Sequence, residues 1–313
     1  MRVFVTRLIP NEGIERLRAA GHEVTVREED SLCPRDELLD RLASVDAAIT
    51  MLDDKIDAEV FDKAPALRVV ANYAVGINNI DLSEATRRGI AVGHTPDVLT
   101  DATADLAFTL LLAAARRAGE AERFVRSGEW HGWGPLQFLG QHVTGKTLGI
   151  VGAGRIGQAL GRRGAGFAMN ILYTARTSKI DFEAQTRARF VDLETLLAES
   201  DFISINCPLT EETHHLVGAD QLRLMKPTAV LVNTARGPVV DEAALVNALQ
   251  SGKIAAAGID VYEDEPQVNP GLFECENAVL LPHVGSATHE TRTAMANLCA
   301  DNINAIAQNK TPP

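Results

Sequence analysis

The sequence is poor in cysteine, with four cysteines in 313 residues and none of them in a CxxC pair. Cys33, Cys207, Cys275 and Cys299 are scattered along the chain, which is typical of reduced thiols rather than of a disulfide framework. The first residues also lack a cleavable apolar stretch of the secretory type. We therefore expect a cytoplasmic protein whose thiols are reduced.

Positive charge is also scarce. The 30 Lys and Arg residues are outnumbered by 42 Asp and Glu residues, which gives a formal net charge of −12. That balance disfavours nucleic acid and anionic membrane surfaces as partners, and it means that an anionic substrate has to be attracted by local positive charge. The longest apolar run, LAFTLLLAAA, is far too short to span a bilayer. We expect no nucleic acid and no membrane among the partners.

The sequence shows no metal-ligand pattern, no short repeat and no low-complexity tract. His214 and His215 are adjacent instead of at helical ligand spacing, and no second cluster accompanies them. We expect these two histidines to be structural or exposed, and we expect no bound metal.

Short apolar segments alternate with helical patterns almost throughout the chain. The first series of strands comprises RVFVT, EVTV, DAAITML, LRVVANY and IAVGH, with NEGIERLRAAG, RDELLDRLAS and SEATRRG as helices between them. A second series comprises KTLGIVGAG, NILYT, ARFVD, DFISINCP, AVLVNTA, IAAAGIDVY and NAVLLPH. Such alternation is typical of parallel sheets with crossover helices. Two series predict an α/β fold with two doubly wound, Rossmann-like domains.

A long helical stretch, roughly residues 99–127, lies between the two series. Its middle is too apolar for an isolated surface helix, so we expect it to be buried against a domain or against a second subunit. The segment GEWHGWGPLQFLGQHVTG is rich in glycine and aromatics and is interpreted as a connector. The final segment, SATHETRTAMANLCADNINAIAQN, is predicted to be helical.

A glycine-rich turn follows the predicted strand that ends at Val151. Gly152, Gly154 and Gly157 form a G-x-G-x-x-G pattern, and a helix is predicted to begin near Arg155. We expect these glycines, Arg155 and Ile156 to contact a cofactor. In dinucleotide-binding folds the first glycine permits the tight turn, the second lets the backbone approach a pyrophosphate, and the third allows close packing of helix and strand. The alternative is a glycine turn required for packing only.

The acid that usually follows such a turn by about 20 residues is missing. At the end of the next strand the chain has Thr174 and Ala175 where an Asp would bind the adenosine ribose. Two cations and two hydroxyls come next: Arg176, Thr177, Ser178 and Lys179. These groups can bind a 2′-phosphate. We therefore predict that NADPH/NADP is preferred and that NADH/NAD is possible; the alternative is a solvated basic loop that leaves cofactor choice loose.

Three candidate catalytic residues follow predicted strands. Arg236 comes after AVLVNTA, Glu265 after IAAAGIDVY, and His283 after NAVLLP. Open α/β sheets bind ligands beyond the carboxyl ends of their strands, which is where these residues are predicted to lie. Each also has an ordinary structural interpretation, as a surface charge, a loop acid and a strand-end histidine respectively.

The segments VNTARGPVVDEAALVNALQSGKIAAAGIDVYEDEP and LLPHVGSAT resemble the signature segments of the D-isomer-specific 2-hydroxyacid dehydrogenases. The intervals between the three candidate residues also agree with that family, and the resemblance extends over nearly the whole chain. The segments MLDDKID, HGWGP and LYTART are most similar to the glyoxylate/hydroxypyruvate reductase branch, which includes reductases that accept 2-ketogluconate.

The resemblance implies a role for each candidate. Protonated His283 gives a proton to the carbonyl oxygen as hydride reaches C2, and it acts as a base in the reverse direction. Glu265 hydrogen-bonds His283, orients it and favours its protonated form. Arg236 binds the substrate carboxylate with its planar guanidinium. The backbone N–H groups of Val75 and Gly76 bind the same carboxylate; the alternative for that segment is a simple turn after a strand.

The resemblance also implies further cofactor and substrate contacts. The additional cofactor-contacting positions are Thr103, Ala175, Cys207, Pro208, Thr213, Thr234, Ala235, Asp260 and Gly285. Asp260 faces the nicotinamide carboxamide, or alternatively caps a strand end. Met51, Leu52 and Trp133 shape the substrate pocket. Because the equivalent Trp reaches into the partner subunit's site, a homodimer is implied; the alternative is that Trp133 is a buried anchor of the connector.

By the same resemblance, residues 1–98 plus 287–313 form a flavodoxin-like substrate-binding domain and residues 99–286 form the dinucleotide-binding domain, with the active site in the cleft between them. The implied reaction is NADPH-preferring reduction of glyoxylate and hydroxypyruvate to D-2-hydroxyacids. Alternatives on the same fold are 2-ketogluconate reduction, phosphite or formate oxidation, and a dinucleotide-sensing corepressor. Formate dehydrogenases of the family lack a Glu at position 265, and corepressors usually carry extra interaction segments, which we do not find here.

Overall fold

The computed structural model describes residues 1–312, and the chain divides into two compact units. The first unit consists of Met1–Leu99 together with residues 286–312, and the second unit is Thr100–Gly285. Each unit is built around its own parallel sheet, as the two series of strands in the sequence predict.

The strands, in chain order, are β1 (Arg2–Val5), β2 (Glu23–Val26), β3 (Ala47–Thr50), β4 (Val69–Asn72), β5 (Ala91–Gly93), β6 (Thr147–Val151), β7 (Asn170–Thr174), β8 (Arg189–Phe190), β9 (Phe202–Ile205), β10 (Val230–Asn233), β11 (Ala256–Ile259) and β12 (Ala278–Leu280). The helices are α1 (Asn11–Ala19), α2 (Arg35–Leu42), α3 (Ala58–Lys63), α4 (Leu82–Arg87), α5 (Thr100–Ala115), α6 (Ala118–Arg126), α7 (Arg155–Gly166), α8 (Ile180–Thr186), α9 (Leu193–Glu199), α10 (Ala219–Leu224), α11 (Glu242–Gln250), α12 (Pro270–Phe273) and α13 (His289–Ala307).

The first unit contains a five-stranded parallel sheet in the order β2-β1-β3-β4-β5 among the residues described. This order belongs to the flavodoxin-like doubly wound folds. All residues of β3 and β4 are buried, because helices cover both faces of a doubly wound sheet. The loops that follow these two central strands therefore begin at the edge of a buried core.

The C-terminal helix α13 packs in the first unit against α1 and β4. The approach is close at Gly13, where a Cβ atom would lie 2.5 Å from the carbonyl oxygen of Ala296. Met295, Cys299 and Ile303 are buried on the same helix. Glycine is thus required at position 13 for this contact.

The second unit contains a seven-stranded parallel sheet in the order β12-β11-β10-β9-β6-β7-β8 within residues 1–312. Strands β7 and β8 follow β6 on one side of the sheet, whereas β9, β10, β11 and β12 follow one another on the other side. The strand order therefore reverses between β6 and β9. Crevices at such a reversal point are where open α/β sheets bind ligands. The glycine turn follows β6 and therefore lies at this point.

The helical stretch predicted for residues 99–127 is not continuous. α5 ends at Ala115 and α6 begins at Ala118, because Arg117 adopts φ +52, in the left-handed region that ends a right-handed helix. The Arg117 side chain is then paired with Glu120 in the first turn of α6. The prediction of one helix is wrong at this point, whereas its burial is explained: α5 packs against α7, β10 and β11 of its own unit.

Local capping explains one helix that the apolar pattern did not reveal. The six-residue helix α3 begins after Asp57, whose carboxylate accepts a hydrogen bond from the N–H of Val60. Asp81, Asp192 and Asp241 cap α4, α9 and α11 in the same way. Within residues 1–312, no helix combines the length and the apolarity that crossing a membrane requires.

Candidate active site

The glycine turn follows β6 at the point where the strand order reverses. Gly152 adopts φ +98, and a Cβ atom there would lie 2.6 Å from the backbone nitrogen of Cys207. A Cβ on Gly157 would lie 2.2 Å from the carbonyl oxygen of Gly152. Packing of the fold therefore requires both glycines. A Cβ on Gly154, in contrast, would have no atom within 4 Å, so the fold does not explain this glycine.

The open space at Gly154 adjoins the N-terminus of α7, whose first residues are Arg155 and Ile156. N–H groups at a helix N-terminus attract anions, so this surface fits the pyrophosphate of a dinucleotide. Nearby strand ends provide buried polar atoms that have no hydrogen-bond partner within residues 1–312: Asn206 Oδ1, Thr234 Oγ1 and Asp260 Oδ2. Buried polar atoms are rarely left unpaired, and these three are suited to a polar ligand.

Asp260 holds together the segment that contains His283. Its Oδ1 accepts the N–H of Val284 at 2.8 Å, and its carbonyl oxygen accepts the N–H of His283 at 2.9 Å. Burial raises the pKa of the Asp260 carboxyl, against the opposing effects of the Val284 N–H and the charge of His283. Asp260 thus caps the strand end, as one of the two interpretations predicted, while its Oδ2 atom stays unpaired.

Two more predicted cofactor positions lie beside Asp260. A Cβ on Gly285 would be 3.3 Å from Asp260 Oδ2 and 3.5 Å from the Cγ2 atom of Thr103. The structure therefore brings Thr103, Asp260 and Gly285 together around the unpaired carboxylate oxygen. A side chain at position 285 would fill the space in front of that oxygen.

His283 and Glu265 form a hydrogen-bonded pair. The distance between His283 Nδ1 and Glu265 Oε2 is 2.8 Å. Glu265 Oε1 accepts the N–H of Tyr262 at 2.9 Å, and the Tyr262 hydroxyl donates to the carbonyl oxygen of Leu281 at 2.9 Å. A carboxylate can only accept, so Nδ1 carries a proton and Nε2 is the nitrogen left to face a substrate.

The backbone of His283 is itself unusual, with φ +54. Residues other than glycine seldom adopt positive φ, and such conformations cluster at functional sites. Here the conformation is maintained by the hydrogen bonds to Asp260 described above. The direction of the imidazole is therefore set both by its backbone and by its carboxylate partner.

Opposing effects act on the Glu265 carboxyl. Burial raises its pKa, but the hydrogen bond and charge of His283, the Tyr262 N–H and the charge of Arg236 together lower the pKa below its ordinary value of 4.5. Glu265 is thus ionised at neutral pH. A carboxylate in this state can stabilise positive charge on the His283 imidazole.

Arg236 follows β10 in a turn that is fixed by Asn233. The Asn233 side chain donates to the carbonyl oxygen of Arg236 at 2.9 Å and accepts the N–H of Ala235 at 3.0 Å. The next residue, Gly237, packs so tightly that a Cβ atom would lie 1.9 Å from the carbonyl carbon of Tyr262. Burial lowers the pKa of the Arg236 guanidinium and Glu265 acts in the opposite direction, yet an arginine stays protonated at neutral pH. The Arg236 cation therefore lies close enough to Glu265 for the two charges to interact.

The basic loop after β7 is anchored by Tyr173. The buried Tyr173 hydroxyl accepts the N–H of Lys179 at 2.7 Å and donates to the carboxylate of Glu183. Glu183 also accepts the hydroxyl of Ser178 at 2.8 Å, so that hydroxyl is already engaged within the chain. The predicted role of Ser178 in binding a 2′-phosphate would require its hydroxyl to leave Glu183. Arg176 is exposed at the middle of the loop.

The remaining predicted cofactor positions lie near the ends of β7, β9 and β10. Ala175 and Ala235 are half-buried, and Thr177 is exposed beside the Nζ atom of Lys179, at 3.2 Å. Thr213 Oγ1 donates to the carbonyl oxygen of Pro208 at 2.7 Å, which ties together the segment that follows β9. Burial raises the pKa of the Cys207 thiol to about 11, so the thiol is neutral at physiological pH.

The predicted substrate contacts lie in two places. Met51, which is buried, and half-buried Leu52 follow β3, whereas half-buried Val75 and Gly76 follow β4. All four residues belong to the first unit. Trp133 belongs to the second unit and is 84% exposed, so the alternative interpretation of a buried connector anchor is wrong for this chain.

Asn233, Tyr262 and Glu183 position the candidate residues through hydrogen bonds. The sequence did not indicate any of the three. Asn233 is a polar residue at the end of a buried strand, and this is the one signal that could have indicated it. His214 and His215 are exposed and stacked on each other, and His215 is paired with Glu263. In the part of the chain that the structure describes, no group of His, Cys, Asp and Glu residues is arranged to hold a metal ion.

Comparison with known proteins identifies the family. A model of the D-isomer specific 2-hydroxyacid dehydrogenase, NAD binding domain, matches residues 108–285. The chain belongs to the D-isomer specific 2-hydroxyacid dehydrogenase family. The glyoxylate reductase of Thermococcus litoralis is 54% identical to this chain, and that of Thermococcus kodakarensis is 56% identical. Each alignment covers 100% of this chain and 95% of the relative.

Solved structures agree with the assignment to this dehydrogenase family. A protein of Thermus thermophilus is similar with a TM-score of 0.94 and 46% identity, over 100% of this chain and 99% of that chain. The NADPH-dependent glyoxylate/hydroxypyruvate reductase of Sinorhizobium meliloti, in complex with NADP and malonate, has a TM-score of 0.84 and 38% identity, over 97% of this chain and 92% of that chain. The resemblance seen in the sequence is confirmed, and so are the two parallel-sheet domains. The protein is a D-2-hydroxyacid dehydrogenase that binds a nicotinamide dinucleotide.

Proposed function

We propose that this dehydrogenase reduces glyoxylate and hydroxypyruvate to the corresponding 2-hydroxyacids, with NADPH preferred over NADH. The observation that carries the proposal is the hydrogen-bonded pair of His283 and Glu265, whose charge interacts with that of Arg236, at the sheet edge that also carries the dinucleotide turn. An ionised acid, an imidazole and a guanidinium are the groups that carbonyl reduction of a 2-oxoacid needs. Relatives named glyoxylate reductase, which align with the whole chain, support the choice of substrate.

Each of the candidate residues has a distinct role in the proposed reaction. A bound nicotinamide dinucleotide supplies the hydride. His283 holds a proton at Nε2 for the carbonyl oxygen, and Glu265 stabilises the imidazolium from the other side. Arg236 binds the substrate carboxylate and polarises the carbonyl group. The unpaired Asp260 Oδ2 would hold the carboxamide of a bound cofactor as a hydrogen-bond acceptor.

The preference for NADPH is proposed from the loop after β7. Thr174 and Ala175 stand where an acid would bind the ribose, so the carboxylate that would repel a 2′-phosphate is missing. Arg176 is exposed and Lys179 lies two residues beyond Thr177, so cations and a hydroxyl are available to the phosphate. The anchoring of this loop by Tyr173 supports a defined phosphate site over a solvated basic loop that does not select the cofactor.

We extend the proposal to the domains, the substrate pocket and the assembly. Residues 1–98 plus 287–313 form the substrate-binding domain, in which Met51, Leu52, Val75 and Gly76 contact the substrate, and residues 99–286 bind the cofactor. Large apolar side chains stand exposed on one segment of the second unit: Val125, Trp130, Trp133, Leu136 and Leu139. Exposed apolar surface of this kind marks an interface, and we propose a homodimer in which Trp133 contributes to the partner's pocket. A cytoplasmic location stays a prediction from the sequence.

Steady-state kinetics with a small panel of substrates tests the proposal. Glyoxylate, hydroxypyruvate and 2-ketogluconate are each assayed with NADPH and with NADH, and phosphite is assayed with NADP. We expect the highest kcat/KM with glyoxylate or hydroxypyruvate, and a higher kcat/KM with NADPH than with NADH. Turnover of phosphite in preference to the oxoacids, or cofactor binding without any turnover, would contradict the proposed reaction. Equal kcat/KM with the two cofactors would contradict the cofactor preference alone.

A further inference from the structure

The loop after β4 has three consecutive carbonyl groups that are each bound within the first unit. Three hydrogen bonds hold them: Thr95 N to Ala74 O at 2.9 Å, His94 Nδ1 to Val75 O at 2.9 Å, and Asn72 Nδ2 to Gly76 O at 2.8 Å. A carbonyl oxygen can only accept, so the Nδ1 atom of His94 must carry a proton. The side chains of His94 and Asn72 therefore act as donors that fix two successive peptide groups.

Fixing a carbonyl group also fixes the N–H group of the same peptide. A trans peptide is planar, and its N–H points opposite to its C=O. With the carbonyl groups of residues 74–76 turned back into the unit, the N–H groups of residues 75–77 point in the other direction. Within residues 1–312, the N–H groups of Val75 and Gly76 donate to no other backbone group. Successive backbone N–H groups in a turn can together form an anion-binding concavity.

The two anchoring side chains are themselves held in place. Asn72 is completely buried, and its Oδ1 atom accepts the hydroxyl of Thr50 at 3.0 Å and the side-chain amide of Asn79 at 3.2 Å. The carbonyl oxygen of His94 accepts the side-chain amide of Asn302, from α13, at 3.2 Å. Thus the orientation of the loop is determined by β4, by the residue after β5 and by the C-terminal helix.

We propose that His94 and Asn72 are positioning residues, which orient the N–H groups of residues 75–77 as a receptor for the carboxylate of the 2-oxoacid. The inference rests on the proposed function, because the anion it assigns to the receptor is the substrate. A receptor made of backbone N–H groups suits a protein with a net charge of −12, since it offers hydrogen-bond donors without a further cation. His94 is the better residue to test, because it is half-buried and Asn72 is in the core.

The test combines His94→Ala with the conservative variant His94→Asn. The alanine variant has no donor for the Val75 carbonyl, so we expect the KM for glyoxylate to rise about tenfold, the effect of losing roughly one hydrogen bond. The kcat and the KM for NADPH should stay within twofold of the wild-type values. The side-chain amide of asparagine is a donor, so His94→Asn should recover most of the lost affinity. If His94 had a structural role only, His94→Ala would lower the fraction of active protein, and therefore the apparent kcat, without raising the KM for glyoxylate.

The matched control is His22→Ala. His22 lies in the same unit and is also half-buried, and its ring is hydrogen-bonded to Asn304 and to the amino terminus. Its loss removes a comparable structural histidine far from the loop in sequence. We expect the glyoxylate KM of His22→Ala to equal that of the wild type. A similar rise in KM in the control would overturn the inference.

A measurement without turnover separates this inference from the proposed function. Oxalate resembles glyoxylate in its planar carboxylate and adjacent oxygen, and its binding to NADP-loaded protein is measured by calorimetry. We expect His94→Ala to weaken oxalate binding about tenfold and His94→Asn to restore it. Unchanged glyoxylate KM and oxalate affinity in His94→Ala, or no recovery in His94→Asn, would overturn the inference. Suppose that the two variants change oxalate binding as expected while the wild-type protein does not reduce glyoxylate. In that case the role of His94 in anion binding stands and the proposed reaction fails.

Discussion

The imidazole of His283 donates from Nδ1 to Oε2 of Glu265 across 2.8 Å, and this contact leaves Nε2 as the nitrogen that can exchange a proton with a substrate. The carboxylate is held from its other oxygen by the N–H of Tyr262, so the pair cannot rotate freely. A catalytic pair of this kind is identified by the geometry and the charges of its two side chains. Substitutions at His283 and at Glu265 can therefore test the two contributions separately.

Removing the imidazole tests the proposed proton donor. We expect His283→Ala to lower kcat roughly 100-fold or more, because a positioned general acid typically contributes at least that much. The dissociation constant for the dinucleotide, measured by fluorescence titration, should change little. A kcat close to the wild-type value would show that the proton comes from elsewhere.

Replacing the carboxylate tests its ionisation through stability. The folded-state pKa of Glu265 lies below its ordinary value of 4.5, so its charged form stabilises the fold above that pH, and this contribution is lost as pH falls through the lower folded pKa. We expect Glu265→Gln to be less stable than the wild type by about 1 kcal/mol at pH 7. The difference should shrink below about pH 4.5, in chemical denaturation measured from pH 3 to pH 7. A difference that is independent of pH would contradict the depressed pKa.

Substitutions in the glycine turn can distinguish an effect on fold stability from an effect on cofactor binding. A Cβ on Gly154 would meet no atom within 4 Å, so Gly154→Ala should leave the free energy of unfolding of the cofactor-free protein within about 0.5 kcal/mol. The same methyl group occupies the space proposed for the pyrophosphate, and dinucleotide affinity should fall about tenfold or more. Gly157→Ala is the contrasting variant, because its Cβ would lie 2.2 Å from the Gly152 carbonyl oxygen, and it should be clearly destabilised. Unchanged dinucleotide affinity in Gly154→Ala would remove the pyrophosphate from this position.

The parallel sheets and the position of the trio could be predicted from the sequence because both depend on patterns along the chain. Strands such as VVAN and VLVN are apolar at nearly every position, since helices cover both faces of each sheet. Arg236, Glu265 and His283 each follow such a strand, and parallel strands bring their carboxyl ends to one edge. The alternation of strands and helices along the chain thus predicts two parallel sheets, whereas the roles of the three residues were inferred from the family resemblance.

Features that depend on a single backbone angle or on a distant partner could not be predicted. The helix break at Arg117 depends on one positive φ in a stretch of good helix formers. The engagement of Ser178 depends on Glu183, which lies on the next helix and gives no signal of its own. Tertiary context determines each of these features, and local pattern carries no information about them.

Charge reversal at Arg176 tests the proposed cofactor preference. The side chain is exposed in the middle of a loop whose end is anchored by the Tyr173 hydroxyl, so a substitution there should not disturb the fold. Removing a charge-assisted hydrogen bond to the 2′-phosphate and adding a repelling carboxylate should lower kcat/KM with NADPH about 10- to 100-fold. An aspartate near the end of this strand can also bind the ribose hydroxyls of NADH, so kcat/KM with NADH should hold or rise.

The control for this charge reversal is Arg162→Asp, on the exposed face of α7 in the same unit, which changes net charge equally at a position with no assigned contact to the cofactor. Both variants are assayed with glyoxylate at several salt concentrations, because a direct phosphate contact weakens with ionic strength. We expect the NADPH/NADH ratio of kcat/KM to fall in Arg176→Asp and to stay constant in Arg162→Asp. If the ratio is the same in both variants, general electrostatic attraction explains NADPH use, and the loop after β7 does not select the cofactor.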